Sequence, residues 1–334
     1  MKKNWLLSIG LLLVLSLFLV ACGGGDSDDK ADEGKDDGDT AGSEDPEYLS
    51  FLTGGTSGTY YPLGGAIAKI ILDETGIQAD AVSSNASADN IIALKDGEAE
   101  MAFTQTDVAA YAAEGINAFD EPIDTVLGMG SLYPETIQIV TTQESGIKTV
   151  EDLKGEKVSV GAPGSGTYIN AEQILEVYDM TMDDIDAQNL DFGESVGGIQ
   201  DGNIGAAFIT AGTPTGAVEE LKASADVHIV PVEADKAEAL IEKYPYYALD
   251  EVPEGTYGVE EDVETVAVLA MVVVTEDLSE DAVYDMTKAL YEKSDDIAHA
   301  KAEEISLDRA LDGIGIDMHP GAQKYFDEEG IEAE

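Results

Sequence analysis

The tetrapeptide SGTY occurs twice in the chain, at Ser57–Tyr60 and at Ser165–Tyr168. Each copy lies between an apolar run typical of a strand and an amphipathic run typical of a helix. In open parallel sheets, ligands bind beyond the carboxyl ends of the strands, where the following helices begin. The repetition therefore predicts two similar α/β units, each with one glycine-containing corner next to a ligand site.

Strand and helix patterns alternate on both sides of the second copy. They predict strands at 48–53, 79–83, 100–104 and 126–129, and helices at 59–74, 87–95 and 105–114. The pattern restarts with strands at 136–142, 158–160 and 205–210 and a helix at 168–178; region 230–264 is irregular, and a strand at 265–275 and a helix at 280–293 follow. This alternation favours mainly parallel, doubly wound sheets. We expect two lobes, 47–137 plus 266–334 and 138–265, with crossings near 136–138 and 264–266 and a ligand cleft between them.

The N-terminus has the features of a secretory signal. Lys2 and Lys3 precede the apolar run WLLSIGLLLVLSLFLVA, which is short for a membrane span. The run ends in LVAC, a sequence similar to a bacterial lipobox, and Cys22 is the only cysteine of the chain. We expect a signal peptide at 1–21 and a lipid on Cys22 that anchors the protein to the outer face of the cell membrane. An ordinary signal peptide with a chance cysteine is the alternative.

Acidic residues greatly outnumber basic residues in the chain. The segment 23–46 holds ten acidic residues and two lysines with no apolar run, which predicts a disordered tether beginning at Cys22. The whole chain has a net charge of −52, and without the signal (+2) and the tether (−8) the remainder carries −46. This charge argues against a nucleic-acid partner. It is typical of a halophilic acidic surface, which concentrated salt screens.

The two corners could hold a small polar or anionic solute. Helix starts offer unpaired amide hydrogens and a partial positive charge, and glycine allows the backbone to approach a ligand closely. Polar groups at Ser83–Ser87, Thr104–Asp107 and Ala211–Thr215 follow other strands and could add contacts. The alternative is that all these residues only form turns and helix caps. Arg309 is the only arginine, and an acidic helix-like stretch around it favours a surface role.

Enzyme motifs are incomplete. Gly161–Gly166 has the glycine spacing of a phosphate-binding loop, but Thr167 stands where lysine is needed. The sequences GTSGT and PGSGT lack the last glycine of a nucleophile elbow, and no histidine lies in either corner. Asp183–Asp186 lacks the glycine and glutamate of a calcium loop. We therefore predict no catalytic residue, metal or cofactor, while a surface hydrolase and an adhesion or sensing module remain open alternatives.

Several separated segments resemble the TAXI family, the extracytoplasmic solute receptors of TRAP transporters. They are GGTSGTYYPLGGAIAKI, the S-x-A-S-x-D-N-I pattern at Ser84–Ile91, AFTQTDVA, SLYPE, DLKGEKVSVGAPGSGT and DMHPGAQKYFDEEG, in that order between about 49 and 330. The resemblance implies a type II periplasmic-binding-protein fold and delivery of the solute to a TRAP permease driven by an ion gradient. It also implies glutamate, glutamine or a related dicarboxylate such as 2-oxoglutarate as the solute, and we expect a monomer.

Matching positions carry the family's binding residues onto this chain. Tyr60 would supply an apolar wall, and the other residues would be hydrogen-bond donors or acceptors. The expected ligand-binding residues are Thr56, Ser57, Thr59, Tyr60, Asn85, Gln105, Ser165, Thr167 and Thr213.

Overall fold

The computed structural model describes residues 48–332. The predicted signal peptide, the predicted lipid attachment at Cys22 and the predicted tether lie outside the described residues, as do 47 and 333–334 of the predicted first lobe. Within 48–332, no helix is both long enough and apolar enough to cross a membrane.

Ten strands and nine helices are formed by the described residues. The strands are β1 Tyr48–Leu52, β2 Gln78–Val82, β3 Met101–Gln105, β4 Val126–Thr142, β5 Lys157–Ser159, β6 Asp186–Gln188, β7 Ala206–Ala211, β8 Val227–Val230, β9 Ala248–Val252 and β10 Val263–Thr275. The helices are α1 Tyr60–Thr75, α2 Ser87–Lys95, α3 Thr106–Glu114, α4 Gly166–Val177, α5 Phe192–Gln200, α6 Gly216–Lys222, α7 Ala234–Lys243, α8 Glu280–Glu292 and α9 Pro320–Glu329.

The strand order is β2-β1-β3-β10-β4-β7-β5-β6, with β8 paired to β4 and β9 paired to β10. Strands β1, β2 and β3 are parallel, as are β5, β6 and β7. The long strands β4 and β10 are antiparallel to each other and to their other neighbours, and they run through both halves. This arrangement confirms the α/β, two-lobed fold. The parallel pairings lie in the outer part of each half, and the pairings of β4 and β10 in one central sheet are antiparallel. The residue limits of the lobes stay a prediction.

Helices cover both faces of each half. In the first half, α1 directs Leu63, Ile67 and Ile71 against Phe51 and Phe103, and the resulting core extends to α8 and α9. A second cluster packs α2 and α3 on the opposite face. In the other half, α4 and α7 cover one face and α5 and α6 the other. Full burial of each Leu or Ile side chain stabilises the fold by about 1.5–3 kcal/mol.

Two regions differ from the sequence prediction. The separate strands expected at 126–129 and 136–142 are one strand, β4, that continues through Pro134. The register shifts between the pairs of Leu269 and Met271, next to the pairing of Leu269 with Pro134, and such an irregularity accommodates a proline. The region 230–264, predicted to be irregular, contains α7 and β9, and α7 buries Ala237 and Leu240.

Candidate functional site

A cavity lies between the two halves, at the carboxyl ends of the parallel strands. About 50 Å³ is open to the centres of water-sized molecules, and the space that such molecules themselves fill is larger. Its lining is Gly54, Gly55, Gly58, Thr59, Tyr60, Ser84, Asn85, Ala86, Ser87, Gln105, Glu135, Ala162, Ser165, Gly166, Thr167, Asp191, Phe192, Thr210 and Ala211.

Helix starts from both halves converge on this cavity. The lining includes the first residue of α1, of α2, of α4 and of α5, and Gln105 directly precedes α3. Each helix start carries amide groups without an intrahelical partner and a partial positive charge. The cavity can therefore bind a carboxylate or another small anionic group without a basic side chain.

The first corner makes contact with the opposite half. The Thr59 hydroxyl donates a hydrogen bond to the Gly212 carbonyl oxygen at 3.2 Å. The Ser57 carbonyl oxygen accepts from the amide of Ala217, at the start of α6, at 3.1 Å. Thr59 makes no side-chain cap on its own helix. The polar groups of this corner thus join the two halves.

The second corner makes the reciprocal contact. The Gly164 carbonyl oxygen accepts from the amides of Ala88 and Asp89, in the first turn of α2, at 3.0 and 3.1 Å. Ser165 caps its own helix, because its hydroxyl oxygen accepts from the amide of Tyr168 at 3.2 Å. The expectation that SGTY forms a helix cap is met by the Ser165 side chain.

Ala86 has a strained backbone where it lines the cavity. Its φ is 71° and its ψ is −154°, a conformation that side-chain-bearing residues rarely adopt. The amide of Ala86 donates to the Ser84 hydroxyl oxygen at 3.1 Å, which helps to hold this turn. Strain of this kind is common in ligand-binding segments, where the fold maintains a geometry that the chain alone disfavours.

Glu135 is the buried carboxyl group of the cavity. Its Oε2 accepts a hydrogen bond from the Tyr60 hydroxyl at 2.8 Å, and the Tyr60 ring stacks on Phe103 with 4.5 Å between centroids. Burial raises the pKa of Glu135 to about 8, although hydrogen bonds from Tyr60 and Gln105 oppose that shift. The predicted apolar wall at Tyr60 therefore also carries a hydroxyl that orients a titratable group.

Two lining side chains have buried oxygens without a hydrogen-bond partner among residues 48–332. They are Oε1 of Gln105 and Oγ1 of Thr210, in residues that are 2% and 5% exposed. Gln105 Oε1 lies so close to Gly166 that a Cβ at that glycine would be 1.9 Å from it. Buried polar atoms are ordinarily hydrogen-bonded, so these oxygens indicate where a bound solute would donate.

The structure brings six of the nine predicted site residues to the cavity. The three others lie elsewhere: Thr56 is exposed, Ser57 contacts the opposite half, and Thr213 lies in the turn after β7. Their roles in binding stay predictions. The six residues that line the cavity are Thr59, Tyr60, Asn85, Gln105, Ser165 and Thr167.

Thirteen of the nineteen lining residues are not among the nine predicted site residues, and they include Glu135, Asp191, Phe192 and Thr210. Glu135 belongs to the SLYPE segment, whose resemblance to the family was noted without a role. Asp191 caps α5 by accepting from the amide of Glu194 at 2.8 Å, and the D-x-x-E spacing is the available sequence signal for that helix start.

A buried polar cluster joins α3 to α4 beside the cavity. The Asn170 amide donates to Asp107 Oδ2 at 3.1 Å and to the Tyr247 hydroxyl at 2.8 Å, and the Gln173 amide donates to the Tyr111 hydroxyl at 3.0 Å. Burial raises the pKa of Asp107 to about 7. The cluster adds contacts between the halves in this closed arrangement.

Basic residues and metal-binding groups do not contribute to the described site. Among residues 48–332, none of the cavity-lining residues is Lys, Arg or His. Arg309 pairs with Asp312 at 3.4 Å, away from the lining. The described part of the chain contains no cluster of His, Cys, Asp and Glu that could hold a metal ion.

Solved structures of other proteins are similar to this chain. A solved structure from Bordetella bronchiseptica RB50 is 17% identical, over 85% of this chain and 82% of that one, with a TM-score of 0.52. PhnD1 from Prochlorococcus marinus (MIT 9301), solved with methylphosphonate, is 8% identical over 85% and 96%, with a TM-score of 0.50. The periplasmic aliphatic sulphonate binding protein SsuA from Escherichia coli is 15% identical over 84% and 79%, with a TM-score of 0.43.

The Bordetella and Prochlorococcus structures are similar to this chain in fold. A family model matches residues 51–330, which is most of the chain. The chain therefore belongs to the NMT1-like family.

Proposed function

We propose that the protein is an extracytoplasmic solute receptor, without catalysis, that closes its two lobes on a small polar or anionic solute. The observation that carries this proposal is the convergence of helix starts from both halves on one cavity. Hydrogen bonds from the Thr59 hydroxyl to Gly212 and from the Ala88 amide to Gly164 connect the halves on either side. Membership of the NMT1-like family and the periplasmic-binding-protein fold support the receptor class.

The finer assignment rests on the sequence resemblance. We propose a TAXI-type receptor that Cys22 tethers to the membrane and that delivers its solute to a TRAP permease. We further propose that its lobes comprise 47–137 plus 266–334 and 138–265. Glutamate, glutamine and 2-oxoglutarate are the first solutes to test. Methylphosphonate, the ligand of the Prochlorococcus relative, is a useful small anion for comparison.

Titration calorimetry with this panel tests the receptor class, and small-angle scattering reports lobe closure. We expect at least one solute to bind with a fall in the radius of gyration. Thr167→Ala should weaken binding by about 0.5–1.5 kcal/mol, the net value of one neutral hydrogen bond. Thr256→Ala, at a position outside the cavity lining, is the matched control. Failure of a broad solute panel to bind or close the lobes would contradict the proposal.

Transport reconstitution tests the partner. Vesicles that contain a TRAP permease should accumulate the bound solute only when the receptor and an ion gradient are present. Uptake that needs ATP and an ABC permease instead would retain the receptor and overturn the TRAP assignment.

A further inference from the structure

The cavity brings hydrogen-bond acceptors together deep between the lobes. Glu135 is 2% exposed, and its carboxyl group accepts from the Tyr60 hydroxyl. The neighbouring Gln105 is also 2% exposed, and its amide stabilises the ionised form of Glu135. This leaves Gln105 Oε1, which is buried and has no hydrogen-bond partner among the described residues. A buried acceptor in this position needs a donor from outside the protein chain, which a water or a bound solute can bring to it.

The charge of the lining favours a donor that is also cationic. Glu135 and Asp191 are the two carboxyl groups of the lining, and none of the described lining residues carries a basic side chain. The nearest cation that acts on Glu135 is Lys301, whose ammonium group pairs with Glu304 Oε1 at 2.7 Å. An ionised Glu135 therefore has no direct counter-charge from the protein, and a cationic group of the solute would supply it.

Other groups around Glu135 do not replace such a cation. Asp107 and Tyr133 are buried nearby, and the negative charge of Asp107 disfavours ionisation of Glu135. The charged and titratable groups that face Glu135 from the surrounding elements are Tyr60 from α1, Asp107 from α3, Tyr133 from β4, Lys301 from the turn after α8, and Asp191 across the cavity.

We infer that Glu135 and Gln105 form the specificity-determining subsite of the receptor and select a solute that carries a protonated amine. The ammonium group donates to the Glu135 carboxylate and to Gln105 Oε1. Any carboxylate of the same solute faces the helix starts of α1 and α4, because the first amides of α2 already donate to Gly164 and the Asp191 carboxyl group caps α5. This inference rests on the proposed receptor function and narrows its solutes to those with an amine.

L-glutamate and 2-oxoglutarate form a test pair that differs only in the group on the α-carbon. The keto oxygen is an acceptor, so it would leave Gln105 Oε1 without a donor and would give an ionised Glu135 no counter-charge. A site that hydrogen-bonds an N–H group rejects an analogue without it strongly, because the protein groups are then left without partners. We expect 2-oxoglutarate to bind at least about tenfold more weakly than L-glutamate.

The experiment measures both affinities by titration calorimetry on the whole protein and on Glu135→Gln, which keeps the side-chain shape and removes the charge. The variant should weaken L-glutamate by about 10- to 100-fold, the range for a charge-assisted hydrogen bond. Its affinity for 2-oxoglutarate should change by less than about threefold. The matched control is Glu121→Gln, because Glu121 is an exposed partner of Lys95 outside the lining. L-glutamine and 2-oxoglutaramate form a second amine and keto pair, in which an amide replaces the side-chain carboxylate.

The comparison of L-glutamate with 2-oxoglutarate on the wild-type protein does not depend on whether a variant folds. Equal or tighter binding of the keto acids overturns the inference and leaves the receptor proposal standing. An amine preference that persists undiminished in Glu135→Gln overturns the role of Glu135. If no amine-bearing and no amine-free solute of the broad panel binds or closes the lobes, the receptor proposal fails and this inference fails with it.

Discussion

The two SGTY corners have the same four residues and use them differently. In the first corner, Thr59 leaves its own helix without a side-chain cap and donates across the cleft to Gly212. In the second corner, Ser165 caps its own helix. What the corners share is a backbone contact: Ser57 and Gly164 each offer a carbonyl oxygen to a helix start of the opposite half.

The comparison of the two corners shows that their backbone and side-chain groups have separate roles in joining the halves. The helix begins at a different residue of the tetrapeptide in each copy, because α1 begins at Tyr60 and α4 at Gly166. A carbonyl oxygen within the first copy and one directly before the second each accept from a helix start of the other half. The hydroxyl groups are then free to join the halves, as in Thr59, or to stabilise one helix, as in Ser165. Variants that affect one corner at a time can test this division.

The largest expected effect is on the pH dependence of folding stability, and it comes from Glu135. Tyr60 of the first corner hydrogen-bonds to Glu135, as does Gln105, which lies against Gly166 of the second corner. The pKa of Glu135 is raised to about 8, so the folded protein keeps a proton that the unfolded chain loses above its ordinary pKa of 4.5. Folding stability should therefore fall between about pH 5 and pH 8, by up to about 1.4 kcal/mol per pH unit.

Thermal melts of wild type and Glu135→Gln, without added solute, measure this effect. Subtracting the two curves isolates Glu135, because Asp107 and the other carboxyl groups remain in both proteins. The melting temperature of the wild type should fall further than that of the variant over this pH window. Parallel curves would show that the carboxyl group is not buried in solution.

The second effect tests the tight contact at the second corner. Gly166→Ala places a Cβ 1.9 Å from Gln105 Oε1, so the Gln105 amide must leave its position. We expect solute affinity to fall by about 10- to 100-fold, because the displaced Gln105 amide no longer offers Oε1 to the amine of the solute and a charge-assisted hydrogen bond contributes about 1.5–3 kcal/mol. Calorimetry measures the affinity. Gly65→Ala is the matched control, because no atom lies within 4 Å of a Cβ at that exposed helical position, and unchanged affinity in Gly166→Ala would count against the contact.

The third effect separates closure from helix stability. Thr59→Val removes the hydrogen bond to Gly212 and should weaken solute binding by about 0.5–1.5 kcal/mol. Ser165→Ala removes a helix cap and should lower the free energy of unfolding by about 1 kcal/mol. Denaturant unfolding and calorimetry on both variants make the comparison. A larger loss of unfolding free energy in Thr59→Val than in Ser165→Ala would reverse the roles assigned to the two corners.

The smallest effect tests the looser packing of the first corner. A Cβ at Gly58 would lie 3.3 Å from the Phe192 ring, a distance that a small shift of the ring relieves. Gly58→Ala should therefore change solute affinity by less than about threefold, which is under about 0.7 kcal/mol. A loss comparable to that of Gly166→Ala, measured by the same calorimetry, would show that the two corners are packed equally tightly.

Much of the fold could be predicted from local patterns. The spacing of Leu63, Ile67 and Ile71 identifies α1, and the alternating elements identify the two-lobed α/β architecture. Continuity of β4 through Pro134 could not be predicted, because it depends on a register shift against β10. The helix α7 was missed because its apolar face is narrow and tyrosines and prolines follow it.

The candidate site was only partly predictable for a similar reason. Thr59, Ser165 and Thr167 lie in a recognisable motif, and they line the cavity. Glu135 lies within a long strand, and only the pairing of β4 with β10 and β7 brings it to the same cavity. Ser57 lies in the motif as well, but its position in the closed arrangement depends on the start of α6 from the other half.

A crystal structure of the protein with L-glutamate tests the central claim most directly. We expect solute density between the two corners, with its amine within hydrogen-bonding distance of Glu135 and Gln105 and with the Ser57–Ala217 and Gly164–Ala88 hydrogen bonds formed. Density bound elsewhere, or lobes that remain apart around a solute held by one half alone, would contradict it.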